Sequence, residues 1–231
     1  MPKTLCKNNI EEEVEIDKEF VGVIRSPEFL YSSTPYKDNF SPPTQKAVLI
    51  IPGKDEDYNS TRIRSLASFL SSKLGLYSLR IKVPNNENQN SWKFLEKGAE
   101  YIDAAVKYIT NSKKDLQLYL WSIIGYLDGA AMMFAWAIKQ NDLYYSKSLK
   151  DRKKAIILPN LINCCSTFYL DAFKSHNKTL FSEELDEYEY IYTSVKPETL
   201  KKHIELDFSK LCQLTNQTSV LSIYGSRDDD E

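Results

Sequence analysis

From Lys46 onward, short runs of apolar, β-type residues alternate with longer stretches of helical periodicity, which restricts the chain to a wound sheet with helices packed on its faces. The run Ala47 to Ile51 (AVLII) ends at the turn Pro52-Gly53. A helix is predicted from about Thr61 to Leu74, where Ile63, Leu66, Ala67 and Leu70 share one face, with Ser60 as its N-cap and Gly75 as its end. The strand Tyr77 to Val83 completes a β-α-β unit, which implies a parallel pair with a right-handed crossover. After the glycine-free loop Pro84 to Ser91, a second helix is expected from about Trp92 to Ile109, with Phe94, Leu95, Ala99, Ile102 and Val106 at helical spacing. Leu116 to Ile124 (LQLYLWSII) is too uniformly apolar for a surface strand and is expected at the centre of a parallel sheet with both faces covered. Gly125 to Ile138 turns into a helix that is apolar almost all round. Another strand lies within Lys154 to Cys165, with Pro159 as a bulge or interruption. A helix over Pro197 to Leu214 and a last strand over Ser219 to Tyr224 follow.

Residues 1–19 hold the acidic tract Glu11 to Glu19 and are expected to form a flexible N-terminal segment. Residues 20–231 then make a single domain, opening with an edge strand or hairpin at Phe20 to Arg25 and carrying a small cap or lid over 166–213. At 42% hydrophobic residues, 231 positions are enough for one sizeable core. The 30 basic and 32 acidic side chains leave a net charge of −2, without the positive field that phosphate backbones require, so nucleic acid is not an expected partner. The basic cluster Lys150 to Lys154 reads as a solvated loop. Cys6, Cys164, Cys165 and Cys212 form no C-x-x-C pair and have no histidine at ligand spacing, so neither a metal site nor a cofactor is expected and the thiols read as reduced. No apolar signal-peptide core and no run near the roughly 18 apolar residues of a membrane span is present. The expectation is a cytoplasmic protein, also compatible with the nucleus, that is not secreted.

In such a fold, ligands bind beyond the carboxyl ends of the strands, in the turns after residues 51, 83, 124 and 224. The motifs there resemble the α/β-hydrolase family, in particular its serine-aminopeptidase-like and monoacylglycerol-lipase-like branch and the uncharacterised fungal relatives. The match runs from about Lys46 to Asp228. The family's His-Gly, whose backbone helps build the oxyanion hole, reads here Pro52-Gly53. Its G-x-S-x-G nucleophile elbow reads Gly125-Tyr126-Leu127-Asp128-Gly129, so both glycines are kept and leucine stands in the serine's place. Its Gly-x-x-Asp acid turn matches Gly225 to Asp228, which gives Asp228 the acid position. Where many relatives carry an aspartate and a glycine-rich loop, this chain has Lys82 and the segment Pro84 to Ser91. The resemblance implies a three-layer α/β sandwich with a mainly parallel twisted sheet and helices on both faces. The family's last strand and helix, and its C-terminal histidine, are expected to be missing.

Leucine has no lone pair to attack with and no proton to give up, so acyl transfer cannot begin at Leu127. Asp128 falls one residue late to serve as a nucleophile, and Ser122 reads as a buried strand residue. The histidines, His176 and His203, precede the last strand. The acidic, tyrosine-rich run Phe181 to Ser194 reads as a solvated loop or a partner-binding surface. The expected function is that of an inactive hydrolase-like binding or scaffolding module with protein partners, its remnant cleft formed by Pro52, Gly53, Lys54, Tyr126, Leu127 and Asp128. The alternatives are a serine-type hydrolase (esterase, lipase or peptidase) with a displaced or missing triad, and a decayed, marginally folded relative.

Overall fold

The computed structural model describes residues 11–17, 20–27, 45–53, 56–83, 91–111, 118–164, 210, 213–214 and 216–223. The sheet consists of β1 (Glu11–Asp17), β2 (Phe20–Arg25), β3 (Gln45–Ile51), β4 (Tyr77–Ile81), β5 (Leu118–Tyr126), β6 (Asn160–Cys164) and β7 (Val220–Ile223), in the order β1-β2-β4-β3-β5-β6-β7. β1 and β2 run antiparallel to each other, β2 runs antiparallel to β4, and β4, β3, β5, β6 and β7 are parallel. The helices are α1 (Thr61–Leu74), α2 (Ser91–Asn111), α3 (Asp128–Tyr144) and the single turn α4 (Leu149–Arg152).

The apolar patterns divide between the two faces as helical periodicity requires. Ile63, Ala67 and Leu70 of α1 pack with Val48, Ile50 and Ile124 on one face. Leu95, Ile102 and Val106 of α2 and Met133, Trp136 and Ala137 of α3 pack with Leu49, Leu79, Ile123 and Leu161 on the other, forming the larger core. Within that core the Trp136 indole N–H donates to Asp103 Oδ1 at 2.5 Å, and the Gln140 amide donates to the same oxygen at 3.0 Å. One carboxylate thus ties α2 to α3 and satisfies the two polar groups that α3 buries there. Ser60 caps α1 by accepting from the Ile63 N–H, and Gly75 closes it in the left-handed conformation, with φ 63°.

The structure departs from the sequence reading in four places. Glu11–Asp17, expected within a flexible acidic segment, forms the edge strand β1. Val14 is buried in the core, and the Glu11 carboxylate accepts a hydrogen bond from Arg25 on β2 at 2.8 Å. The tract looked purely solvated because the arginines that compensate it lie elsewhere in the chain. β5, expected to be covered on both faces, leaves Tyr119 51% and Trp121 36% exposed near its start. The β3–β5 register skips Trp121 between Leu120 and Ser122, a bulge that turns its ring out under the Lys46 ammonium at 5.0 Å. Pro159 lies just before β6 and does not interrupt it. The basic cluster begins inside α4, which buries no residue. Most of 166–213, with the expected cap, the tyrosine-rich run and most of the last helix, lies outside the described residues. No helix among the described residues is long and apolar enough to cross a membrane.

Candidate functional site

The chain leaves β5 through a single strained residue. Leu127 has φ 47° and ψ −122°, and among the described residues it is the one non-glycine with positive φ. Such a backbone costs on the order of 1–3 kcal/mol and persists only where the surroundings impose it. Here they do. The Leu127 N–H donates to the Cys164 carbonyl of β6 at 3.1 Å, and the Leu127 carbonyl accepts from the Ala130 N–H at 3.0 Å. The flanking glycines let α3 press against the strand ends. A Cβ on Gly125 would overlap Ala130 Cα, and a Cβ on Gly129 would overlap the Pro52 carbonyl oxygen and lie 2.5 Å from that of Ile51. The sharp strand-to-helix turn expected from the two glycines is therefore present, with a hydrocarbon side chain at its tip.

That side chain is 45% exposed and leans on the turn after β3, where a Cβ added to Gly53 would lie 3.2 Å from Leu127 Cβ. Pro52 and Gly53 are buried beside it, Tyr126 is half-buried and Asp128 is exposed in the first turn of α3. The structure thus brings together five of the expected cleft residues, Pro52, Gly53, Tyr126, Leu127 and Asp128. Lys54 and Asp228 lie outside the described residues, as do His176, His203, Cys6, Cys165 and Cys212. β7 ends at Ile223, paired with Cys164, which in turn pairs with Tyr126. β7 therefore ends at the carboxyl edge of the sheet, two strands from the elbow. Ser122 is buried and donates to the Asn160 carbonyl at 3.0 Å, so its hydroxyl is consumed within the sheet.

Sequence reasoning missed the polar wall of this mouth, made by Glu56, Ser60 and Arg62 at the start of α1. Glu56 Oε1 accepts from Arg62 Nε at 3.0 Å, from Arg62 Nη2 at 2.9 Å and from Ser60 Oγ at 3.1 Å. The Arg62 guanidinium lies 5.5 Å from the centre of the Tyr126 ring. Burial pushes the Tyr126 hydroxyl up to about 12, helped by Cys164 and opposed by Arg62, so the phenol stays protonated at neutral pH. Nothing local in the sequence marks these groups as neighbours of the elbow, because they meet only through the adjacency of β3 and β5.

A strained bend at the end of a central strand is built to expose one side chain, and the chemistry of that position follows from what the side chain carries. Leucine offers contact area and no reactive atom. Replacing Leu127 with glycine is expected to stabilise the fold by about 1 kcal/mol through release of backbone strain, whereas valine, which tolerates positive φ poorly, should destabilise it by a similar amount. Urea denaturation midpoints of the two variants check this, and a loss of stability in the glycine variant would contradict the strain.

No protein-family model matches the chain, and no curated protein matches its sequence. Solved structures do resemble it in fold. One is a candidate carboxylesterase from Lactobacillus plantarum, 11% identical with a TM-score of 0.54, which covers 95% of this chain and 90% of its own. An esterase from Rhizomucor miehei is 14% identical with a TM-score of 0.53, covering 94% of this chain and 74% of its own. The Francisella virulence factor BioJ is 14% identical with a TM-score of 0.51 over 94% of this chain and 74% of its own. At such identities the likeness carries the architecture alone.

Proposed function

Since the chain has the α/β-hydrolase fold, we propose that it is a hydrolase-like protein without hydrolase activity, kept as a binding or scaffolding module for a protein partner. The observation that carries this reading is Leu127, which holds the backbone conformation of a nucleophile elbow while presenting a hydrocarbon. Loss of the nucleophile alone removes about a millionfold of turnover in a serine hydrolase. The remnant cleft of Pro52, Gly53, Tyr126, Leu127 and Asp128 offers binding surface instead. The half-exposed leucine, flanked by the Arg62–Glu56 pair and the Tyr126 ring, combines an apolar contact with polar groups that can fix orientation.

The intact chain, incubated with a fluorophosphonate probe, is expected to remain unlabelled while showing a cooperative thermal transition. Labelling of any serine would overturn the reading and restore the serine-hydrolase alternative. An unlabelled chain with no cooperative melt would point to a decayed, marginally folded relative. Copurification from the native cell, repeated with Leu127→Asp, asks whether the elbow face is what a partner grips. Loss of the partner with the aspartate variant is the expected result.

A further inference from the structure

Away from the elbow, the α1 face of the sheet carries a second polar cluster. Arg80, in the middle of β4, has a side chain only 1% exposed. Its register neighbour on β3 is Ile50, which belongs to the core under α1, so the guanidinium projects onto that face. Nη2 lies 3.2 Å from Glu11 Oε2 and is met by that carboxylate, whereas Nε and Nη1 have no hydrogen-bond acceptor among the described residues. Ser78, two residues earlier on the same face, is fully buried, and its Oγ lacks a partner as well.

The charges nearby do not balance. Arg25 and Arg64 both act on Arg80 as like charges, and Glu11, the carboxylate that offsets them among the described residues, also accepts from Arg25 Nη1 at 2.8 Å. Arg25 Nη2 in turn donates to Ser68 Oγ on α1 at 3.2 Å. Among the described residues acting on Arg80, positive charge is therefore in excess, in a place where each unmet donor costs on the order of 1–3 kcal/mol.

We propose that Arg80 and Ser78 are the donors of a buried site for a small monovalent anion of the halide class, held between β4 and α1. A halide is spherical, so it accepts from guanidinium and hydroxyl donors that approach from different directions. A single negative charge reduces the local excess of three arginines over one carboxylate. Ile50, Ile63 and Ala67, in the core on this face of the sheet, are fully buried, so the face is closed to solvent there. This site is independent of the elbow and of whether the protein is an enzyme.

The test is thermal unfolding of the full chain in sodium chloride against sodium gluconate at equal ionic strength. Gluconate is too large to enter. Chloride is expected to raise Tm by about 3 to 5 °C per tenfold increase above half-saturation, while the gluconate curve stays flat. Arg80→Met, an apolar side chain of similar length, should abolish the chloride dependence. Ser78→Ala, the milder change, should move half-saturation about tenfold higher, and it decides the matter if the methionine variant does not fold. A crystal soaked in bromide should show its anomalous peak within hydrogen-bond reach of Arg80. Equal melting curves in the two salts, a chloride response unchanged in Ser78→Ala, or bromide found only elsewhere would overturn the proposal.

Discussion

Alanine at Gly129 or Gly125 is expected to destabilise the protein by about 3 kcal/mol or more, a larger effect than any change to the exposed residue between them. At Gly129 the added methyl would run into the carbonyl oxygens of Pro52 and Ile51, and at Gly125 into the backbone of Ala130. None of these is the end of a flexible side chain, so relief requires moving α3 away from β3 and β5. Overpacking that shifts only side chains costs about 1–3 kcal/mol, and displacing a buried helix that carries Met133, Trp136 and Ala137 should exceed that range. Chemical denaturation measures it. An alanine variant as stable as the parent would mean that the elbow is looser than described and that Leu127 is not held in its strained conformation.

Glu11→Ala is the second large change, at about 3 kcal/mol. Its carboxylate, 28% exposed on the side chain, is the counter-charge for Arg80 and the acceptor for Arg25. Removing one member of such a pair leaves the buried cation behind, which is more damaging than removing both. The double variant Glu11→Ala/Arg80→Met should therefore recover most of the loss, and failure to recover it would show that Glu11 acts through something other than Arg80. The pH dependence has a definite sign. Burial alone would raise the Glu11 pKa, but the Arg25 hydrogen bond and the Arg80 charge outweigh it and hold it below the ordinary 4.5. Its stabilisation is thus fully present above about pH 4.5 and is lost as pH falls through the lower folded-state value. Glu11→Gln should flatten that acid limb of the stability curve.

Much of the architecture was legible because its signals are local. The run Ala47 to Ile51 and the helix that buries Ile63, Ala67 and Leu70 behind its Ser60 cap appear as the pattern requires, and the strand expected over Tyr77 to Val83 forms and ends at Ile81. The two elbow glycines foretold the turn at Leu127, since only residues without a Cβ permit that approach of helix to strand. The misreadings also have a common cause. Glu11–Asp17 resembled a solvated tract because a strand whose charges are met by other strands carries no local mark of it. Trp121 resembled core because a bulge depends on how β5 registers with β3. Glu56, Ser60 and Arg62 went unnoticed because their relation to Tyr126 exists only across the sheet.

The sequence by itself determined that the chain winds a mainly parallel sheet, and that the side chain at the elbow is a hydrocarbon. Both depend on residues close together along the chain. The tertiary structure alone decided that Leu127 is held at positive φ and half-exposed against Gly53, that Arg62 and Glu56 wall the same mouth, and that Arg80 is buried beside the Glu11 carboxylate. Those facts arise from strand order and register, which bring distant residues within a few ångströms of one another and which no local pattern encodes.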